Sequence, residues 1–399
     1  MAWHSILEGI IGEHGYRVMN NDELLSKTIS YLRFPLTAGI VFIHFSLAKG
    51  LSIHGVKHGL ENPEWFFFLV NLISDVLSRI GVPLFFIISG FLFFYQKDFD
   101  GNVYKLKLKS RFKSLLIPYI LWNVIAIIWQ LKCFLPGISS FFRPVEVHLS
   151  FVRIINTFLC NMDNSGIFVG STSTEPTTGL YPIDIPLWYV RDLMVMAVFS
   201  PIIYWLIKKT RQWFILTIGF IWFFSSIILP EGSYFFIYTG MFVTATFFFS
   251  LGAFYSINKE NIVLCFRKIK YSPIVYVPIA IADALTKGLE FNFYIHKIGI
   301  LIGVFAAIVV VSYLLESNRI KVNSSLANSS FFIFALHSLF IEDIGKFAFI
   351  MLHIPENNPY AMLTLYFSVP IFSILVCLIL YLLLRRNARG VCNLLTGGR

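Results

Sequence analysis

The chain has 399 residues, 57% of them hydrophobic and only 14% charged, with a net charge of +10 and a mean hydropathy of +0.73. Globular chains are about half apolar and about a quarter charged, so this excess requires lipid as solvent and excludes a soluble domain. The positive charge falls mostly in short segments between apolar runs, as orienting residues of a membrane protein do, so no nucleic-acid partner is expected.

Residues 1–28 are polar and mixed in charge, read as a cytoplasmic N-terminal segment without a secretory signal. From 29 to 388 the sequence predicts a transmembrane domain, followed by a cytoplasmic tail, 389–399. Ten apolar runs suit a crossing of ~20 residues: 33–53, 66–95, 115–131, 187–207, 213–229, 235–256, 273–288, 298–315, 329–351 and 360–384. The fold class is therefore an all-α integral membrane protein of about ten transmembrane helices. With both termini cytoplasmic, cations favour the inner segments by roughly three to one, the bias that short basic loops impose. Cys133, Cys160, Cys265, Cys377 and Cys392 are scattered, with neither disulfide framework nor metal-ligand spacing, and no metal is expected.

The first run carries Arg33 at its inner end and His44 eleven residues on, about 16 Å deeper at ~1.5 Å per residue and so near the bilayer midplane. Arg33 as a snorkelling cation and His44 as a neutral interhelical hydrogen-bonder are the structural readings; intramembrane ionisable groups are otherwise functional by default. In the second run Asp75 and Arg79 lie four apart in a lead-in, interfacial or kinked, that ends near Gly81 and Pro83. Ser89 follows, either a hydrogen-bond donor or a small residue permitting helix contact.

Before the third run, KLKLKSRFKSLLIPY gathers Lys105, Lys107, Lys109, Arg111 and Lys113 with no acid among them, which suits orientation or a phosphate-bearing ligand. Residues 132–186 form a long outer connection. Its HLSFVRIINTFL stretch reads as a surface amphipathic helix, and its Ser-, Thr-, Gly- and Pro-rich second half as a loop, functional or a linker. The fourth run opens on Pro186 and Trp188 at interface depth, with Arg191 and Asp192 further in, where an arginine needs a partner or a ligand. In the ninth run His337 lies about 12 Å deep, close to the depth of His44; Glu342 and Lys346, four apart, are read as a pair along their own helix. No phosphate-binding glycine loop, HExxH, HxxxxD or Gly-x-Ser-x-Gly is present, which removes support for a nucleotide-hydrolysing pump or a zinc protease.

Five ordered segments together resemble the membrane-bound acyltransferase-3 family, bacterial O-acyltransferases of envelope polysaccharides. They are Arg-x10-His (Arg33 to His44), VPLFFIISGFLFF (Val82 to Phe94), the basic run ending in IPY (Arg111 to Tyr119), LWYVRDL (Leu187 to Leu193) and FFIFALHSL (Phe331 to Leu339). The family often has two arginines three apart in the basic run, where this chain has Arg111, Lys113 and Ser114; both cations stay as candidates.

The resemblance implies transfer of an acyl group, usually acetyl, from cytosolic acyl-CoA, a co-substrate rather than a bound cofactor, to a saccharide or lipid-linked saccharide at the far side of the bacterial inner membrane. Arg33, Arg111, Lys113 and Ser89 are then the donor-side residues and His44 the general base. His337 orients His44 or binds substrate, and Arg191, Asp192 and Trp188 face the acceptor. The rival reading is a proton-coupled secondary transporter using the midplane histidines, against which stands the lack of paired interrupted helices in two comparable halves.

Overall fold

The computed structural model describes residues 19–53, 56–95, 98–135, 146–160, 166–169, 181–225 and 234–398. The N-terminal segment before residue 19, parts of the 132–186 connection and the end of the fifth apolar run lie outside the described residues. What is described is almost entirely helical, with two short antiparallel strand pairs. Five helical stretches are long and apolar enough to cross a membrane: Glu64–Phe94, Gly101–Phe134, Ile185–Thr210, Asn292–Glu316 and Pro359–Asn387.

Helix α1 runs from Asn21 to His44, earlier at both ends than the 33–53 apolar run. Asn20 caps it by accepting from the Asp22 N–H, Asp22 and Glu23 occupy the first turn, and Glu23 pairs with Lys27 at 2.6 Å. A stretch read as polar and N-terminal is thus a well-signalled helix start. At the other end the Ser46 hydroxyl accepts from the Ala48 N–H and Gly50 takes φ +76°, so turn chemistry stops the helix; the chain then forms the hairpin β1 (Leu51–Ile53) and β2 (Val56–His58).

The second apolar run is one continuous helical stretch that changes pitch. Helix α2 (Glu64–Val70) widens into a π-helical turn, Asn71–Leu77, tightens to a 3₁₀ turn, Ser78–Ile80, and continues as α3 (Gly81–Phe94). The lead-in expected to end near Gly81 and Pro83 is thus a stretch of π and 3₁₀ turns upstream of Pro83, whose missing N–H removes a hydrogen bond from the ladder. The basic run forms α4 (Gly101–Arg111), which passes through a second π turn, Phe112–Leu116, into α5 (Ile117–Gln130). Lys107 donates to the Phe93 carbonyl and Arg111 lies over the Phe93 ring at 5.8 Å, cations placed at the C-terminal end of α3.

In the 132–186 connection, β3 (Glu146–Val147) pairs with β4 (Phe168–Val169), and α6 (Phe151–Leu159) is the expected amphipathic helix, leaving Phe151 78% and Val152 64% exposed. The remaining helices are α7 (Trp188–Thr210), α8 (Gln212–Phe223), α9 (Tyr234–Ile257), α10 (Ile262–Arg267), α11 (Ser272–Leu285), α12 (Asn292–Glu316), α13 (Ser324–Leu336), α14 (Ile341–Met351), α15 (Pro359–Asn387) and α16 (Arg389–Thr396). The ninth apolar run is not one helix, for a 3₁₀ turn at His337–Leu339 separates α13 from α14. Glu342 and Lys346 do pair along α14, at 3.4 Å.

Helices α3 and α9 cross with their backbones in close approach. A Cβ on Gly90 would strike the Phe249 carbonyl, and one on Gly252 the Ile87 carbonyl, the small-residue crossing by which membrane helices gain dispersion contact. Because the obstacle is backbone, Gly90→Ala must push the helices apart. We expect it to cost about 1–3 kcal/mol, seen as a lower thermal midpoint of the detergent-solubilised protein.

Candidate active site

Arg33 and His44 are separated by three helical turns, so the two side chains project within about 20° of each other. Arg33 is twelve residues inside α1, not at its inner end, and His44 occupies the last turn. Arg33 and Thr37 of α1, Ser89 of α3, Arg111 of α4, Tyr189 of α7 and Ser330 of α13 are among the residues lining one cavity of about 150 Å³. Three of the four donor-side candidates therefore converge from three helices, although they are widely separated in sequence. The fourth, Lys113, sits exposed on the π turn and does not line the cavity.

Neither Arg33 nor Arg111, both half-buried, has a carboxylate partner among the described residues. Two such guanidiniums on one cavity wall repel each other and are relieved by an anion. Ser89 shares a hydrogen bond of 2.9 Å with the Tyr189 hydroxyl, which in turn donates to the Phe85 carbonyl at 3.3 Å. Ser89 is thus a polar wall residue, and the helix contact is made by its neighbour Gly90. A larger cavity of about 310 Å³ opens beside the start of α1. Asp22, Asp98 and Glu260 line it with Lys208 and Lys259, so sign of charge rather than size distinguishes the anion site.

His44 and His337 meet edge to face, ring centroids 5.1 Å apart. The His337 ring is fully buried, and its Nδ1 is 2.9 Å from the Ile333 carbonyl. A carbonyl only accepts, so Nδ1 carries the proton and Nε2 presents its lone pair. The two histidines do not line the arginine-lined cavity. On α13, Ser330 and Phe334 of the cavity share a face with His337, as Thr37 shares one with His44 on α1. Seven residues, about 10 Å, separate Thr37 from His44, and Ile40 and Val41 are buried in that interval.

The His44 end of α1 is clamped by the π turn. The Ser74 hydroxyl donates to the Phe42 carbonyl at 2.8 Å, satisfying one helix-end acceptor, and lies 2.7 Å from the Tyr366 hydroxyl. Asp75 pairs with Arg79 at 2.7 Å and is met by Ser46 at 3.5 Å. Ser46 is two residues past His44, so the Asp75–Arg79 pair lies next to the His44 end of α1. The i, i+4 spacing of Asp75 and Arg79 was visible in the sequence, but their place beside His44 was not.

Arg191 and Asp192 are buried together, guanidinium to carboxylate at 2.8 Å, and Arg191 donates to the Leu159 carbonyl at 2.5 Å. Tyr119 likewise donates to the Phe158 carbonyl. The last carbonyls of α6 are thereby tied to the bundle, so Arg191 anchors the 132–186 connection to the helices. Trp188 packs on Phe86, centroids 6.3 Å apart, while its neighbour Tyr189 reaches the arginine-lined cavity. Among the described residues no three His, Cys, Asp or Glu side chains converge as a metal site.

A helical membrane bundle with an arginine-lined cavity and, along the same two helices, a pair of histidines of which one is fully buried fits a membrane acyltransferase. Residues 27–382 match the acyltransferase domain of the acyltransferase-3 family, and the chain belongs to that family. It is similar to the succinoglycan biosynthesis protein ExoH of Rhizobium meliloti (strain 1021), 24% identical over 395 residues that cover 95% of this chain and 94% of the relative. No solved structure matches the chain.

Proposed function

We propose that this protein transfers an acyl group, acetyl in the simplest case, from cytosolic acyl-CoA to a hydroxyl of an extracytoplasmic or lipid-linked saccharide in the bacterial inner membrane. One observation carries the reading: Arg33 and Arg111, without carboxylate partners among the described residues, line one cavity, and Arg33 lies on the stripe of α1 that leads to His44. Anionic groups of the donor are held by these guanidiniums, and the slender arm extends along α1 and α13 toward the histidines. His44 takes the proton from the acceptor hydroxyl as its oxygen bonds to the acyl carbon. The carbon–sulfur bond breaks, and the proton passes to the departing thiolate, leaving the saccharide ester and free CoA.

The relative's printed role in succinoglycan biosynthesis supports a saccharide as acceptor. The decisive experiment supplies radiolabelled acetyl-CoA and base-treated succinoglycan to the purified protein in detergent. We expect base-labile label on the saccharide. A proton-coupled carrier would show none in detergent and would instead move a solute only across sealed vesicles, and that outcome would replace this reading.

A further inference from the structure

Asp184 lies just before the 3₁₀ turn Ile185–Leu187 that leads into α7, is 1% exposed, and is part of neither the donor cavity nor the histidine pair. Its Oδ1 accepts from the Ser338 hydroxyl at 2.5 Å, and its backbone N–H donates to Asn123 at 3.3 Å. The other carboxyl oxygen, Oδ2, is buried without a hydrogen-bond partner among the described residues. The same is true of Nε2 of His337, the residue adjoining Ser338 in the chain. Two buried, unsatisfied polar atoms, one on the ring that meets His44 and one on the carboxyl held by the next residue along, are costly unless a third group completes them.

Their chemistry states what that group is. Nε2 of His337 is an acceptor, since Nδ1 holds the proton. Burial pushes the Asp184 carboxyl up to about 8, so at neutral pH Oδ2 or its partner oxygen offers an O–H donor. A donor on Asp184, which is joined through Ser338 to the residue next to His337, and an acceptor on His337 are together complementary to a hydroxyl, which both accepts and donates. We propose that Asp184 and His337 form a hydroxyl subsite that holds the saccharide acceptor beside His44, with Ser338 and Asn123 fixing Asp184 in place. This deepens the acyl-transfer reading and rests on it for the identity of the acceptor. Tyr119 on α5 lies within range of the charges of Asp184, Arg191 and Asp192, and Arg191 and Asp192 on α7 are already paired with each other.

The test measures binding of base-treated succinoglycan oligosaccharides, and separately of acetyl-CoA, to the full-length protein in detergent. Asp184→Ala should weaken saccharide binding ~10-fold or more and leave acetyl-CoA binding unchanged. Asp184→Asn, which keeps a donor, should retain most of it. Saccharide binding by the unaltered protein should fall as pH rises through about 8, where the carboxyl loses its proton, whereas the Asp184→Asn profile should stay flat there.

Unchanged saccharide binding in Asp184→Ala, or equal loss of both ligands, overturns the subsite. If Asp184→Ala does not fold, the Asp184→Asn pH profile decides, and a profile identical to that of the unaltered protein overturns it. Because saccharide binding is read without the donor, a protein that binds the saccharide but transfers nothing sinks the transfer reading while the subsite stands. A protein that binds no saccharide sinks the subsite.

Discussion

Replacing His44 by alanine should lower acyl transfer by about 10²–10⁴-fold, the range typical of a lost general base, while leaving acetyl-CoA binding and the level of protein in the membrane near those of the unaltered chain. The expectation follows from the geometry. His44 occupies the last turn of α1, whose end is held by Ser74 and Tyr366 rather than by the imidazole, so removing the ring leaves the clamp in place. What is lost is an imidazole that meets a fully buried partner ring edge to face, centroids 5.1 Å apart. His44→Gln should fare no better, since an amide has a hydrogen-bonding nitrogen but no basic one. The readout is kcat/KM in detergent beside a direct donor-binding measurement. Retention of more than about a tenth of the rate, set against the general-base range, would remove His44 from the chemistry and leave it a packing residue.

The second large effect concerns the donor side and separates three cations that look alike in sequence. Arg33→Gln and Arg111→Gln should each raise the acyl-CoA KM by about 10- to 100-fold, the loss of charge-assisted hydrogen bonds worth roughly 1.5–3 kcal/mol. Lys113→Ala should change it by less than about twofold, because an exposed cation is screened by salt and water. The contrast rests on position alone, for Arg33 and Arg111 line the cavity and Lys113 does not. Saccharide binding should be the same in all three variants. A Lys113→Ala defect as large as that of Arg33→Gln would show that the donor is gripped at the surface and that the cavity is not its path.

Much of this was legible in the residues themselves. Composition and the length of the apolar runs determined a helical membrane protein, because the hydrocarbon core admits only backbone that satisfies itself. The eleven-residue spacing of Arg33 and His44 determined that they share a helical face, since rotation per residue is a local property of the helix. The limits of α1 misled the apolar count because capping at Asn20 and turn chemistry after His44, not hydropathy, decide where a helix begins and ends.

Tertiary structure alone decided what faces what. That His44 and His337 touch, that Arg33 joins Arg111 and Ser89 around one cavity, and that Asp184 reaches Ser338 all depend on segments distant in the chain being packed side by side. The role of Arg191 as the tie between α6 and the bundle, and the division of labour between Ser89 and Gly90, were settled the same way. A sequence records the period and depth of each helix, but the azimuth of one helix against another is set by the interlocking of side chains and close backbone crossings, which no single segment contains.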